Sequence, residues 1–160
     1  MTPALIALTQ ANIVFRTMEY GYDSQARHKG LQAAAALSLP QEAVFKTLMT
    51  WVDSQPYCAV IPSHLQLNMQ SLAAAVNGQR ARLMDSGDAE HLTGYQIGGI
   101  SPFGQRPQAP LLLDRSASMI ATIWVNAGRR GLLVGLAPHD LVRAFGARLD
   151  LISQAKMNLV

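Results

Sequence analysis

Apolar and polar positions along this chain fall into short blocks whose period changes repeatedly, the mark of alternating helices and strands. Thr2-Pro3 supplies a cap and a first-turn proline, and Leu5, Ile6 and Leu8 give the helix that follows an apolar face until Asn12 stops it. Ile13 to Met18 reads as a strand, Tyr20 to Gly30 as a polar loop, and the alanine-rich Leu31 to Leu39 as a helix that Pro40 ends. Pro40 to Ala43 starts a short helical turn. Phe45 to Val52 and Tyr57 to Ile61 are extended in character, and Ser54-Gln55-Pro56 between them is a turn signal, so the pair reads as a hairpin. Asn68 caps a helix through Val76 that Asn77-Gly78 closes. Arg80 to Met84 predicts a strand and Asp88 to Leu92 a helical turn. Leu111 to Leu113, Ile120 to Asn126 and Leu132 to Leu136 predict short strands. A helix runs from Pro138 to Phe145 with Gly146 behind it, and Arg148 to Ile152 is a last strand. No repeat or linker divides these elements. They predict one α+β domain over residues 1–160, its mixed sheet curled barrel-like and surrounded by helices.

Composition narrows the function classes. With 49% hydrophobic and 14% charged residues, the chain has the material for a core and is not a disordered polyampholyte. Its longest apolar stretches, Leu31 to Leu39 and Met119 to Val125, fall far short of the roughly 20 residues a bilayer span needs, so no membrane partner is expected. Met-Thr-Pro-Ala-Leu-Ile at the amino terminus has no basic region before a long apolar run, so no secretory signal is expected. A single cysteine fits a reducing cytoplasm, the expected location. Thirteen Lys and Arg against ten Asp and Glu give +3, and the pI near 9.4 permits a polyanionic partner without establishing one.

Few residues offer chemistry. Cys58 sits among Tyr57, Ala59, Val60 and Ile61, the setting of an inert buried thiol rather than of a nucleophile. His28, His64, His91 and His139 are scattered without metal-ligand spacing, so neither a metal nor a cofactor is expected, and no Gly-x-Ser-x-Gly elbow anchors a serine triad. Thr93 to Pro110 is different, holding Gly94, Gly98, Gly99, Gly104, Pro102, Pro107 and Pro110 within eighteen residues. Its backbone N–H groups either approach a phosphate or acyl oxygen, or simply form a tight loop. Asn126-Ala-Gly-Arg-Arg-Gly131 reads either as a phosphate clamp through Arg129 and Arg130 or as a solvated hairpin turn. Lys46, a lone cation in Val44-Phe45-Lys46-Thr47-Leu48-Met49, either points to solvent or faces a cleft where it orients a carbonyl, hydroxyl or phosphate.

Thr93-Gly-Tyr-Gln-Ile-Gly-Gly-Ile-Ser-Pro-Phe-Gly104 closely resembles the signature loop of the YbaK-type aminoacyl-tRNA deacylases, relatives of the editing domain inserted in bacterial prolyl-tRNA synthetases. Val44 to Leu48 resembles the family's lysine strand, Ala59-Val60-Ile61-Pro62 the strand after it, and Gly128-Arg129-Arg130-Gly131 its late glycine loop. Met18-Glu19-Tyr20 and the Asp140-Leu141 helix fall in matching order, so the resemblance spans Thr2 to Ile152. It implies a trans-editing enzyme that removes a wrong amino acid from transfer RNA by cleaving the ester to the terminal ribose, with cysteine on proline tRNA foremost. It also implies Lys46 as the catalytic group. Gly98, Gly99, Ile100 and Ser101 would line the site, Gly128 and Gly131 would form the opposite wall, and Tyr20 would stand beside it. Arg129 and Arg130 would hold the acceptor end of the aminoacyl-tRNA, and prolyl-tRNA synthetase is the implied protein partner. The alternatives are a non-catalytic module that binds tRNA or a synthetase, and a deacylase for alanine or another small amino acid. Gln32-Ala33-Ala34, Ala127 in place of a glycine, and Tyr22 to Lys29 depart from the family pattern, and these departures bear on amino acid specificity.

Overall fold

The computed structural model describes residues 1–156. Helix α1 (Pro3–Gln10) begins as its sequence dictates: Thr2 Oγ1 accepts from Leu5 N at 3.2 Å, Pro3 fills the first turn, and Ala4 and Leu8 are buried. Strand β1 (Arg16–Glu19) starts three residues later than the pattern predicted. Ile13 is drawn into the core as the chain leaves α1, Val14 is exposed, and only Arg16 to Glu19 find ladder partners. Helix α2 (Lys29–Ala36) and a 3-10 turn at Gln41–Ala43 follow.

Strands β2 (Phe45–Val52) and β3 (Gln55–Pro62) form the expected hairpin, paired antiparallel from Phe45↔Pro62 to Val52↔Gln55. The turn itself is Asp53-Ser54, with Asp53 at φ 56°, and Gln55 and Pro56 belong to β3 rather than to the turn. Pro56 is tolerated because β3 meets its other neighbour only from Cys58 onward, where no ladder bond needs a proline N–H. Next come β4 (Gln66–Leu67), α3 (Met69–Ala75), β5 (Ala81–Leu83) and α4 (Ser86–Thr93). Asn68 and Asp85 cap the two helices by accepting from Ser71 N and Asp88 N. After the glycine-rich segment lie β6 (Leu111–Asp114), a 3-10 turn at Arg115–Met119, β7 (Ile123–Asn126) and β8 (Leu132–Leu136). Helix α5 (Pro138–Phe145), β9 (Arg148–Asp150) and β10 (Ser153–Gln154) complete the order.

The strands form a mixed five-stranded sheet, β5-β2-β3-β6-β9, an antiparallel three-stranded sheet, β1-β8-β7, and the small pair β10-β4. The α+β class with helices around a mixed sheet is as expected, but no closed barrel forms. The two larger sheets meet at a single parallel bridge, Val44↔Trp124. Ile120 falls short of β7 because the preceding 3-10 turn consumes Arg115 to Met119. The predicted last strand divides, Arg148 to Asp150 joining β6 and Ser153-Gln154 turning away to β4. The largest core cluster joins Phe45, Val60, Phe103, Leu113, Val125 and Val134, and a smaller one of Ala33, Ala34, Val44, Trp124 and Leu133 fills the seam between the sheets.

Candidate active site

Strand β2 has β3 along its whole length on one side, but β5 pairs only with Thr50 to Val52 on the other. The stretch from Phe45 to Leu48 is therefore left open at the seam, and a cavity of about 320 Å³ lies there. Lys46 lines it together with Tyr20, Gly98, Ile100, Asn126 and Leu133, so the cleft-facing arrangement of Lys46 is the one the chain adopts. Half-burial and the nearby Lys156 cation together lower the Lys46 ammonium to about 8. Lys46 is in no ion pair among the described residues. Tyr20, directly after β1, is half-buried; burial and the neighbouring Tyr22 both raise its phenol.

The glycine-rich segment is a braced turn rather than a loose loop. Gly94 ends α4 in the left-handed conformation, Tyr95 Oη donates to Phe103 O at 2.6 Å, and Gly99 N donates to Gln96 O at 2.8 Å. Gly98 stands at φ +90°, where a side chain is strained and would also meet the Tyr22 hydroxyl. The late loop between β7 and β8 fastens onto this turn. Asn126 Nδ2 donates to Gly98 O at 2.7 Å while its Oδ1 accepts from Gly128 N at 3.0 Å. Arg130 Nε donates to Ile97 O at 2.9 Å, and its guanidinium lies 5.2 Å from the centre of the Tyr22 ring. A Cβ on Gly99 would come within 3.0 Å of the Arg129 backbone, so the two loops touch back to back at this residue.

Of the residues singled out from the sequence, Lys46, Tyr20, Gly98 and Ile100 come together at the cavity. Gly99, Ser101, Gly128 and Gly131 do not line it. Ser101 is fully buried, with its carbonyl accepting from Gln105 Nε2 at 3.0 Å. Gly128 packs against Tyr95 and Thr2, and Gly131 accepts through its carbonyl from Tyr20 N at 2.9 Å. Arg129 and Arg130 are both engaged inside the chain, Arg129 with the Glu19 carboxylate and Arg130 as above. Cys58 is completely buried, and burial pushes its thiol up to about 12.

Sequence reasoning missed Asn126, Ser63, Arg27 and His28 as cavity residues. Asn126 carried a usable signal, an amide at the strand end before two glycines, the position from which one side chain can brace two loops. Arg27 and His28 lie in the segment that fits the family pattern poorly and carried none. Among the described residues, no three His, Cys, Asp or Glu side chains gather as a metal site, and no helix is long and apolar enough to cross a membrane.

The site thus joins a half-buried cation facing a cleft to a braced glycine turn as one wall, with no carboxylate or thiol on the lining. The chain matches the aminoacyl-tRNA editing domain over residues 27–144, and it belongs to that family. A relative from Enterococcus faecalis, named EbsC and described as a Cys-tRNA(Pro)/Cys-tRNA(Cys) deacylase, is 31% identical over 142 residues, covering 88% of this chain and 86% of its own. The proline–tRNA ligase of Streptococcus thermophilus is 25% identical over 107 residues, which are 66% of this chain and 17% of the ligase. A solved structure described as a trans-editing enzyme for prolyl-tRNA synthetase has the same fold at TM-score 0.83, with 20% identity and 96% of each chain covered. A hypothetical protein of known structure matches at TM-score 0.84 with 25% identity, over 95% of this chain and 99% of its own.

Proposed function

We propose that this protein is a trans-editing aminoacyl-tRNA deacylase that removes cysteine from proline tRNA, with Lys46 as the catalytic cation. The observation that carries the reading is the Lys46 ammonium in the cavity beside Tyr20, Gly98 and Ile100. The name of the Enterococcus relative supports cysteine as the amino acid. No cysteine or carboxylate lines the cavity, and the one thiol of the chain is sealed in the core. An activated ester needs only modest help, so the substrate's own thiol serves as nucleophile. Its sulfur bonds to the carbonyl carbon and gives up its proton to solvent. The bond from that carbon to the ribose oxygen then breaks, and the amino acid leaves as a cyclic thioester. The Lys46 ammonium stabilises the oxyanion as it forms, and an ammonium that ionises near 8 is acid enough to return a proton to the departing ribose oxygen. Asn126 acts by holding the Gly98 turn and the late loop in one arrangement.

A panel of mischarged transfer RNAs, followed as time courses of ester loss, tests this. Cysteine on proline tRNA should be released fastest, and Lys46→Ala should lose about 2 kcal/mol of transition-state stabilisation, roughly 30-fold, with the fold intact. Wild-type rates in Lys46→Ala would remove Lys46 from the chemistry. Intact esters across the whole panel would leave a binding module.

A further inference from the structure

The two arginines beside the site are held by the protein itself, Arg129 by Glu19 and Arg130 by Ile97 and Tyr22. A polyanion arriving at the cleft meets further basic groups that make no such contacts, and they gather near Lys46. His28, exposed ahead of α2, lines the cavity with Arg27, and the C-terminal segment beyond β10 brings Lys156 back to it, Lys156 Nζ lying 3.2 Å from His28 Nδ1. The pairing of β10 with β4 fixes this return, since Ser153↔Leu67 and Gln154↔Gln66 anchor the segment two residues before Lys156. Asn68 Nδ2 donates to Gln154 Oε1 at 3.1 Å and adds a second tie.

No carboxylate pairs with Arg27, His28, Lys46 or Lys156 among the described residues. Lys156 first, then desolvation, Arg27 and Lys46 hold the His28 imidazole below its ordinary range, so its neutral form predominates at neutral pH. Neutral His28 accepts from the Lys156 ammonium through Nδ1 and keeps Nε2–H as a free donor. Lys29 is not part of this group, because its ammonium is spent on the carbonyls of Asp23, Ser24 and Ala26. Cations gathered against their own repulsion at a cleft mouth are relieved by an anion, and a phosphodiester offers acceptor oxygens to an ammonium and an imidazole N–H together.

We propose that His28 and Lys156 form a phosphate seat at the cleft, which takes a backbone phosphodiester of the single-stranded 3′ end whose terminal ester reaches Lys46. This rests on the deacylase reading for its substrate. The seat gives the C-terminal segment a role in binding, and it assigns RNA affinity to this side of the cleft rather than to Arg129 and Arg130.

The test measures binding of an uncharged RNA hairpin with a single-stranded 3′ end across a salt titration. The double variant His28→Gln, Lys156→Gln should bind about three- to tenfold more weakly at low salt, and its salt slope should fall by about 0.7 for each single-strand phosphate it no longer neutralises. Lys156→Arg should keep most of the affinity. Unchanged affinity and slope in the double variant would overturn the seat. So would displacement of the hairpin by millimolar inorganic phosphate at equal concentration from wild type and double variant. Deacylation supplies the second arm. On a cysteinyl hairpin the double variant should raise KM by a larger factor than on cysteinyl-adenosine, which has no phosphate and reads only the loss of the Lys156 charge near Lys46. An equal loss on the two substrates would place these groups in the chemistry and overturn the proposal. If wild type opens neither ester, the deacylase reading fails, and the hairpin titration still decides the seat.

Discussion

Lys46 combines two properties that one side chain rarely holds together, a strand position in a paired hairpin and a charge facing a partly desolvated cavity. The charge costs stability. Its ammonium ionises near 8 in the fold against an ordinary 10.5, so between those two values the unfolded chain binds the proton more fully. The contribution is fully unfavourable below about 8, and stability should rise as pH climbs from about 8 towards 10.5. Lys46→Met should abolish that rise. At neutral pH it should gain no more than about 1 kcal/mol, because solvent screens a half-exposed charge. Denaturant melts of both proteins at several pH values check this, and parallel curves would show that Lys46 feels no desolvation. On the proposed mechanism catalysis has the opposite dependence, since the protonated lysine is then the active form: the rate advantage of wild type over Lys46→Ala on cysteinyl-tRNA should fall as pH rises through about 8. Cys58, sealed beneath Gln105 and Met49, takes no part. Cys58→Ala should keep deacylation and lose about 1 kcal/mol from the small volume removed, and iodoacetamide should label the folded wild type slowly.

Strand- and helix-forming signals that are local in sequence were legible. The capped starts of α1 and α3, the whole of β2, β8 and α5, and the left-handed close of α5 at Gly146 follow from residues within a turn of each element. What escaped depends on partners far along the chain. Two-residue β4 and β10 have no periodicity of their own and exist because they meet each other. The same limit governs the glycines. Their density marked a special segment, but Gly98 belongs to the cavity while Gly99 serves the approach to the Arg129 backbone, and nothing in a Gly-Gly pair assigns those tasks. Gly99→Ala therefore tests the loop pair. Its Cβ would stand 3.0 Å from three backbone atoms of Arg129 and Arg130, which have no flexible end to swing away. The expected cost is about 1–3 kcal/mol of stability, with a loss of deacylation larger than that of folded protein. Arg130→Ala should likewise slow deacylation by freeing Ile97 while leaving the RNA salt slope unchanged. A slope lowered by one whole phosphate would return that arginine to the nucleic acid.

At the scale of the whole molecule, the site exists because the sheets do not close into a barrel. A closed barrel would pair the edge of β2 from Phe45 to Leu48, whereas the single bridge at Val44↔Trp124 leaves it as a cavity wall. The residues that hold the seam are at once core and lining: Ala33, Val44 and Leu133 belong to the small cluster around Trp124 and also face the cavity. Composition and periodicity announced a core of this size but had no means of saying which part of it borders the cavity. This division between two cores yields a paired prediction. Leu72→Ala, in the cluster of Val52, Ala59, Ile61 and Leu112, should cost about 2–5 kcal/mol and leave the folded fraction fully active. Trp124→Ala should cost about 3–5 kcal/mol, and the space it leaves lies behind Val44 and Leu133. The seam then relaxes into the cavity, so the folded fraction should lose rate on cysteinyl-tRNA and gain on esters of larger thiol-bearing amino acids. Denaturant curves supply the folded fraction, and deacylation of cysteinyl- and homocysteinyl-tRNA by each variant supplies the selectivity. Equal selectivity in the two variants would mean that the seam only holds the sheets together and does not shape the pocket.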